Sequence, residues 1–142
     1  GGTPSAAEEA WSDRRLRSLM AQGLYLDGHG YLLDRRNGLN CFEMQTGHRK
    51  WNDENKMTPK GRNPQATMVH LMGTELALIL NSDGQLVLLR LNPESYQEVG
   101  RMDLIAPAGP SKPIWAHPAY AGGCIYARSD KEIVCVALTP RP

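Results

Sequence analysis

One β grammar repeats along the chain at a fixed spacing, and that spacing constrains the fold more than any other feature. Leu24 to Trp51, LYLDGHGYLLDRRNGLNCFEMQTGHRKW, reads as short apolar strands around a Gly turn, followed by a Thr-Gly turn that delivers a tryptophan. The grammar returns at Val69 to Arg90 and at Ala119 to Leu138. Leu39, Leu86 and Ile133 are separated by 47 and 47 residues, and Cys41, Leu88 and Cys135 share those separations. The Gly that opens each hairpin recurs as Gly28, Gly73 and Gly122, spaced 45 and 49. Such a period lies in the range of four-stranded propeller blades, roughly 40 to 50 residues.

The apolar runs YLL, LALIL, LVLLRL, CIYA and IVCVAL are nearly continuous rather than alternating, as strands covered on both faces are. Asp27-Gly28, Asn37-Gly38 and Asp83-Gly84 are hairpin signals, because glycine tolerates a positive φ that other residues resist. Asn55 to Pro64 and Ala106 to Pro113 are rich in Pro, Gly and Lys and suit loops on a rim. These features predict antiparallel meanders, since hairpin turns recur inside every unit and βαβ helices do not. The fold class expected is therefore all-β: antiparallel β-meander blades of a partial β-propeller, about three repeats, with a short N-terminal helix. The chain reads as a single domain, residues 1–142, with an N-terminal segment at 1–23. Repeat one spans 24–64, repeat two 65–113, and an incomplete repeat three 114–142.

The helix is expected from about Ala6 to Met20. Ser5-Ala6-Ala7-Glu8 has the form of a capping box, and Ala7, Trp11, Leu16, Leu19 and Met20 fall near helical spacing. Arg14, Arg15 and Arg17 would lie on its solvated side.

Composition narrows the function classes. The chain has 142 residues, 41% of them hydrophobic and 22% charged, which suits one globular domain with its own core. No run of about 18 apolar residues exists to cross a bilayer. A net charge of +1 creates no global field for nucleic acid or an anionic membrane. Arg35, Arg36, Arg49, Lys50, Lys56, Lys60 and Arg62 share their stretch with Asp34, Glu43, Asp53 and Glu54, so a nucleic-acid surface ranks last. Gly1-Gly2-Thr3-Pro4-Ser5 does not read as a signal peptide. The residues by themselves leave the compartment open.

No residue set forms a catalytic constellation. Cys41, Cys124 and Cys135 make no CxxC pair and have no His at metal spacing. Cys41 and Cys135 share the strand position of Leu88 and are expected buried, reduced and inert. A bridge between Cys124 and Cys135 is conceivable but not favoured. His29, His48, His70 and His117 are scattered, and His117, before a proline, reads as a scaffold residue. Asp27, Asp34 and Asp83 sit beside turns, where carboxylates cap backbone amides more often than they catalyse. Gly28-His29-Gly30 is too short and strand-like to cradle a phosphate. Ser and Cys nucleophiles have no motif around them. Trp51 and Trp115 are expected to pack between units rather than to stack on a quinone or a sugar.

The run Cys41-Phe42-Glu43-Met44-Gln45-Thr46-Gly47-His48-Arg49-Lys50-Trp51 resembles the signature of the pyrroloquinoline-quinone-like β-propeller repeat. Cys41 stands where that family has a small residue, and Glu43 where it has Asp. Trp115-Ala116-His117-Pro118, continuing through Gly123 to Asp130, looks like the terminal blade of the family's bacterial proteins. The middle unit, from Gly84 to Arg101, resembles their penultimate blade. The resemblance spans roughly Trp11 to the C-terminus. It implies a chain with about three of the four to eight blades that closed propellers have, resembling the C-terminal part of one, and it favours a periplasmic or extracellular setting.

Quinone-dependent dehydrogenases of the wider superfamily line a central funnel from many blades. The repeat alone does not imply the cofactor. No catalytic, cofactor-binding or metal residue is assigned, and no cofactor is expected. The favoured function is a non-catalytic scaffold or protein-interaction module, partnered by another protein or by further copies of itself. The alternative is a fragment of a quinone-dependent dehydrogenase or carbohydrate-handling enzyme.

Overall fold

The computed structural model describes residues 7–61 and 63–138. Among them the backbone forms strands and loops with no helix, and so no helix long and apolar enough to cross a membrane. The first sheet is an antiparallel meander of β1 (Leu24–Leu26), β2 (His29–Asp34), β3 (Gly38–Glu43) and β4 (Arg49–Asn52). The second repeats it with β5 (Ala66–His70), β6 (Leu76–Asn81), β7 (Gln85–Arg90) and β8 (Gln97–Asp103). The third has β9 (Ala119–Ala121), β10 (Cys124–Arg128) and β11 (Ile133–Ala137).

The near-continuous apolar runs are explained by the second sheet, which is covered on both faces. Ala77, Ile79, Val87 and Leu89 turn toward the first sheet and share one core with Tyr31, Leu33, Leu39 and Cys41. Leu78, Leu80 and Leu86 turn the other way and share a second core with Ile125 and Ala127. Successive residues of a strand point to opposite faces. An unbroken apolar run therefore serves two interfaces at once.

The repeat is carried into fine structure. Cys41 and Leu88, 47 residues apart, each precede a register shift, so Lys50 in β4 and Val99 in β8 bulge out of their ladders. One position closes each central hairpin with a polar side chain. Asp34 accepts the N–H groups of Arg36 (2.8 Å) and Asn37 (2.9 Å), Asn81 those of Asp83 (3.1 Å) and Gln85 (3.0 Å), and Ser129 those of Lys131 (3.2 Å) and Glu132 (3.3 Å). The capping role expected for Asp34 is present.

Asp53 performs a larger version of the same task. Its buried carboxylate accepts N–H bonds from Leu39 (2.8 Å), Asn55 (2.9 Å) and Met57 (2.7 Å), fastening the connector after β4 to the start of β3. Burial raises its pKa above the ordinary carboxylate value even though all three donors favour the charged form.

The N-terminal helix is not present among the described residues; Ala6 lies outside them. Residues 7–23 form an irregular strap across the outer face of the first sheet. Trp11 donates its indole N–H to the Met44 carbonyl (2.8 Å) and meets the Phe42 ring edge-on at 6.0 Å. Arg17 donates its backbone N–H to Asp34 (2.6 Å), and its carbonyl accepts from Arg35 N–H (3.0 Å). Asp13 accepts the backbone N–H of Arg15 (2.8 Å), a local bond that competes with helical pairing. Helices of this length are marginal in water, so pairing with the sheet overrides the periodicity.

Candidate interaction surface

The residues weighed for chemistry are dispersed. His29 contacts the Asp27 carbonyl (2.9 Å), and His70 contacts the Thr74 carbonyl (2.6 Å). His48 lies in the β3–β4 turn, and His117 is exposed on the connector after β8. Among the described residues no three His, Cys, Asp or Glu side chains gather as a metal site would require. Of the basic residues, Arg35, Arg36, Lys56 and Lys60 lie on the turns and connectors of one rim. Arg49 and Lys50 begin β4 at the other. Arg62 lies outside the described residues.

The two tryptophans singled out have different fates. Trp51 packs between units as expected, its ring beside Tyr31 (6.1 Å) and Tyr96 (6.2 Å) and its N–H on the Asn92 carbonyl (3.0 Å). Trp115 does not. It is 43% exposed on the rim, where it borders a cavity of about 420 Å³ with Pro59, Pro64, Pro110 and Pro113. It lies on the connector between β8 and β9, with Pro113 and Pro118 on either side of it in sequence. A larger cavity, about 830 Å³, opens between the strap and the β3–β4 turn. Asp13 faces both Arg15 (3.1 Å) and Arg49 (3.8 Å) there, and Arg14 lines the same opening.

The exposed surface that stands out is the outer face of the third sheet. Cys124, Tyr126 and Arg128 lie opposite Ala137, Cys135 and Ile133 on this face. Tyr126 is 41% and Ile133 73% exposed, and Cys135 is exposed beside them. The repeat explains why. Leu39 and Cys41 turn toward the second sheet, and Leu86 and Leu88 toward the third. Ile133 and Cys135 therefore turn to where a fourth sheet would lie. The expectation that Cys135 is buried is corrected on this ground, while Cys41 is fully buried. Cys124 and Cys135 occupy diagonal rungs of one face. Diagonal neighbours stand about 7 to 8 Å apart, beyond the roughly 4.4 to 6.8 Å between Cα atoms that a disulfide spans, and both thiols are reduced.

The two thiols should differ sharply in reactivity. Burial pushes the Cys41 thiol up to about 11, leaving little thiolate at neutral pH. A thiol reagent should modify Cys135 in the native protein and Cys41 only after denaturation, read by mass spectrometry of digested fragments. Equal labelling of both in the native state would refute the assignment of faces.

No protein-family model and no curated protein matches the chain. Solved structures do. BamB from Moraxella catarrhalis matches with a TM-score of 0.64 at 15% identity, over 91% of this chain and 36% of that one. The computationally designed Ika8 protein matches with a TM-score of 0.50 at 12% identity, over 83% and 32%. The chain thus spans about a third of the length of either structure. At these identities the likeness establishes the fold: the chain is an all-β protein of stacked antiparallel sheets, with the architecture of part of a propeller.

Proposed function

We propose that the chain is a non-catalytic propeller-type scaffold of the pyrroloquinoline-quinone-like repeat kind, acting as one domain of three units. It works as a protein-interaction module, within a larger propeller or with further copies of itself. The observation that carries this reading is the uncovered outer face of the third sheet, with Tyr126, Ile133, Cys135 and Ala137 in one apolar array. The positions equivalent to Ile133 and Cys135 in the first two sheets, Leu39, Cys41, Leu86 and Leu88, belong to the cores or pack against them. Contiguous exposed apolar surface of this kind marks an interaction site, and an unpaired edge strand invites pairing. Stacked repeats need their terminal faces capped; the strap caps the first sheet, and nothing among the described residues caps the third.

Sedimentation equilibrium over a wide concentration range tests the proposal. The expected result is mass that rises with concentration, and a shift toward monomer in Ile133→Lys, which sets a charge in the centre of the array. A strictly monomeric, cooperatively folded species at all concentrations would overturn self-association through this face.

A further inference from the structure

A second feature lies at the margin between the second and third sheets. The two sheets stacked against each other differ in width. Among the described residues four strands of the second sheet meet three of the third, and β8 is exposed along its whole length. There, Leu78, Leu86, Leu88, Gly100, Arg101 and Met102 line a dent of about 250 Å³. No residue of the third sheet reaches it.

Register shows what this dent lacks. Cys41 pairs with Trp51 across β3 and β4, and Leu88, its counterpart 47 residues on, pairs with Gly100 across β7 and β8. Gly100 thus stands where the first sheet has its tryptophan. In the first interface the Trp51 ring fills the space beside Tyr31, whose repeat counterpart is Leu78, a wall of the dent. The second interface has the same socket and no ring in it.

The adjoining backbone is unpaired on the same side. Among the described residues β11 pairs with β10 alone and forms the edge of its sheet, whereas β3 and β7 are each flanked by two strands. A strand laid antiparallel beside β11 would stand in front of β8. Its side chains on the inward face would point at the dent.

We propose that this corner is a strand-acceptor site. Its occupant is an extended segment of another polypeptide that pairs with β11 and seats one large aromatic side chain over Gly100. The chemistry of the occupant follows from the two halves of the site: main-chain groups for the edge and an apolar ring for the Leu78, Leu86, Leu88 and Met102 walls. Edge addition of this kind takes affinity from backbone bonds and selectivity from alternate side chains. A second copy joined through β11 itself is disfavoured. Extending one sheet by its twin would bring the twin's β7 into the space β8 already fills. The inference rests on the reading of the chain as an interaction module and names one class of partner for it.

The test uses the 142-residue protein and a dye-labelled synthetic peptide of about nine residues, threonines with one central tryptophan, long enough to form one strand. Fluorescence anisotropy should show saturable binding. Replacing the tryptophan by alanine, or N-methylating alternate amides, should weaken it at least about tenfold, the size of one lost hot-spot contact. Gly100→Trp should weaken it equally, since a Cβ at Gly100 meets nothing within 4 Å and the new ring can fill the dent in cis. Met102→Lys, at a position 47% exposed, gives the same reading if the first variant fails to fold. Binding that ignores the tryptophan, or that survives both variants, overturns the site. Failure here is separable from failure of the proposed function. A protein that self-associates through Ile133 yet ignores the peptide loses the strand site alone, and a permanent monomer that binds the peptide loses the self-association alone.

Discussion

Trp51→Ala is expected to remove about 3 to 5 kcal/mol of stability, the range for deleting a large aromatic from a packed site. Three losses combine. The ring leaves the space between Tyr31 and Tyr96, forfeiting apolar contact and two tilted or edge-on aromatic pairs worth about 0.5 to 1.5 kcal/mol each beyond area. The indole N–H no longer reaches the Asn92 carbonyl, breaking a tie of 3.0 Å between β4 and the β7–β8 loop. Because domains are stable by only about 5 to 15 kcal/mol, the unfolding midpoint in urea should fall by a large fraction. Trp115→Ala is the control. That ring is 43% exposed on the rim, so its removal should cost within about 0.5 to 1 kcal/mol. Equal midpoints for the two variants would show that Trp51 is not the wedge between the first two sheets.

The contrast between these tryptophans shows which information the sequence carries. Trp51 ends the run from Cys41 that resembles a propeller-repeat signature, and its packing could be expected from that resemblance. Trp115 sits on a connector between prolines, where period 47 says nothing, and its place on the rim depends on how the connector crosses the sheet ends. The hairpins at Gly28, Gly73 and Gly122 were legible because turn chemistry is local, and all three glycines have positive φ (80°, 76° and 56°). The two-faced burial of β6 and β7 was legible because both runs are continuous.

What escaped the sequence reading was set by neighbours. Cys41 and Cys135 share a repeat position and an apolar strand, yet one is buried and the other exposed, because burial depends on the next sheet and not on the strand itself. The equivalence of Trp51 and Gly100 was hidden by the bulges at Lys50 and Val99 and by a spacing that departs from 47 residues. The strap at residues 7–23 mimics a helix in its apolar spacing, but only the folded sheet offers the Asp34 carboxylate and the Met44 carbonyl that hold it.

Gly84→Ala should prove as damaging as the loss of Trp51, at about 3 to 5 kcal/mol, through the backbone. Gly84 holds φ at +78° in the β6–β7 turn, a conformation that costs other residues about 1 to 2 kcal/mol. A Cβ there would lie 1.8 Å from the Ile105 carbonyl oxygen and 3.0 Å from its carbon, so the connector itself would have to move. That connector cannot move freely. Leu104 and Ile105 donate their N–H groups to the Gly84 carbonyl (3.0 and 3.1 Å), and Ile114 donates to Ser82 (2.8 Å). Each such bond contributes about 0.5 to 1.5 kcal/mol net, and Leu104, Ile105 and Ile114 belong to the core that seats the third sheet on the second. The damage should therefore be local to that interface. Hydrogen exchange should show the amides of β10 losing protection while those of β2 and β3 keep theirs. Gly73→Ala separates the two contributions, since its φ is +76° but a Cβ there meets nothing within 4 Å, so only the conformational cost of about 1 to 2 kcal/mol applies. If Gly84→Ala were no worse than Gly73→Ala, the close approach of the connector would not be what docks the third sheet.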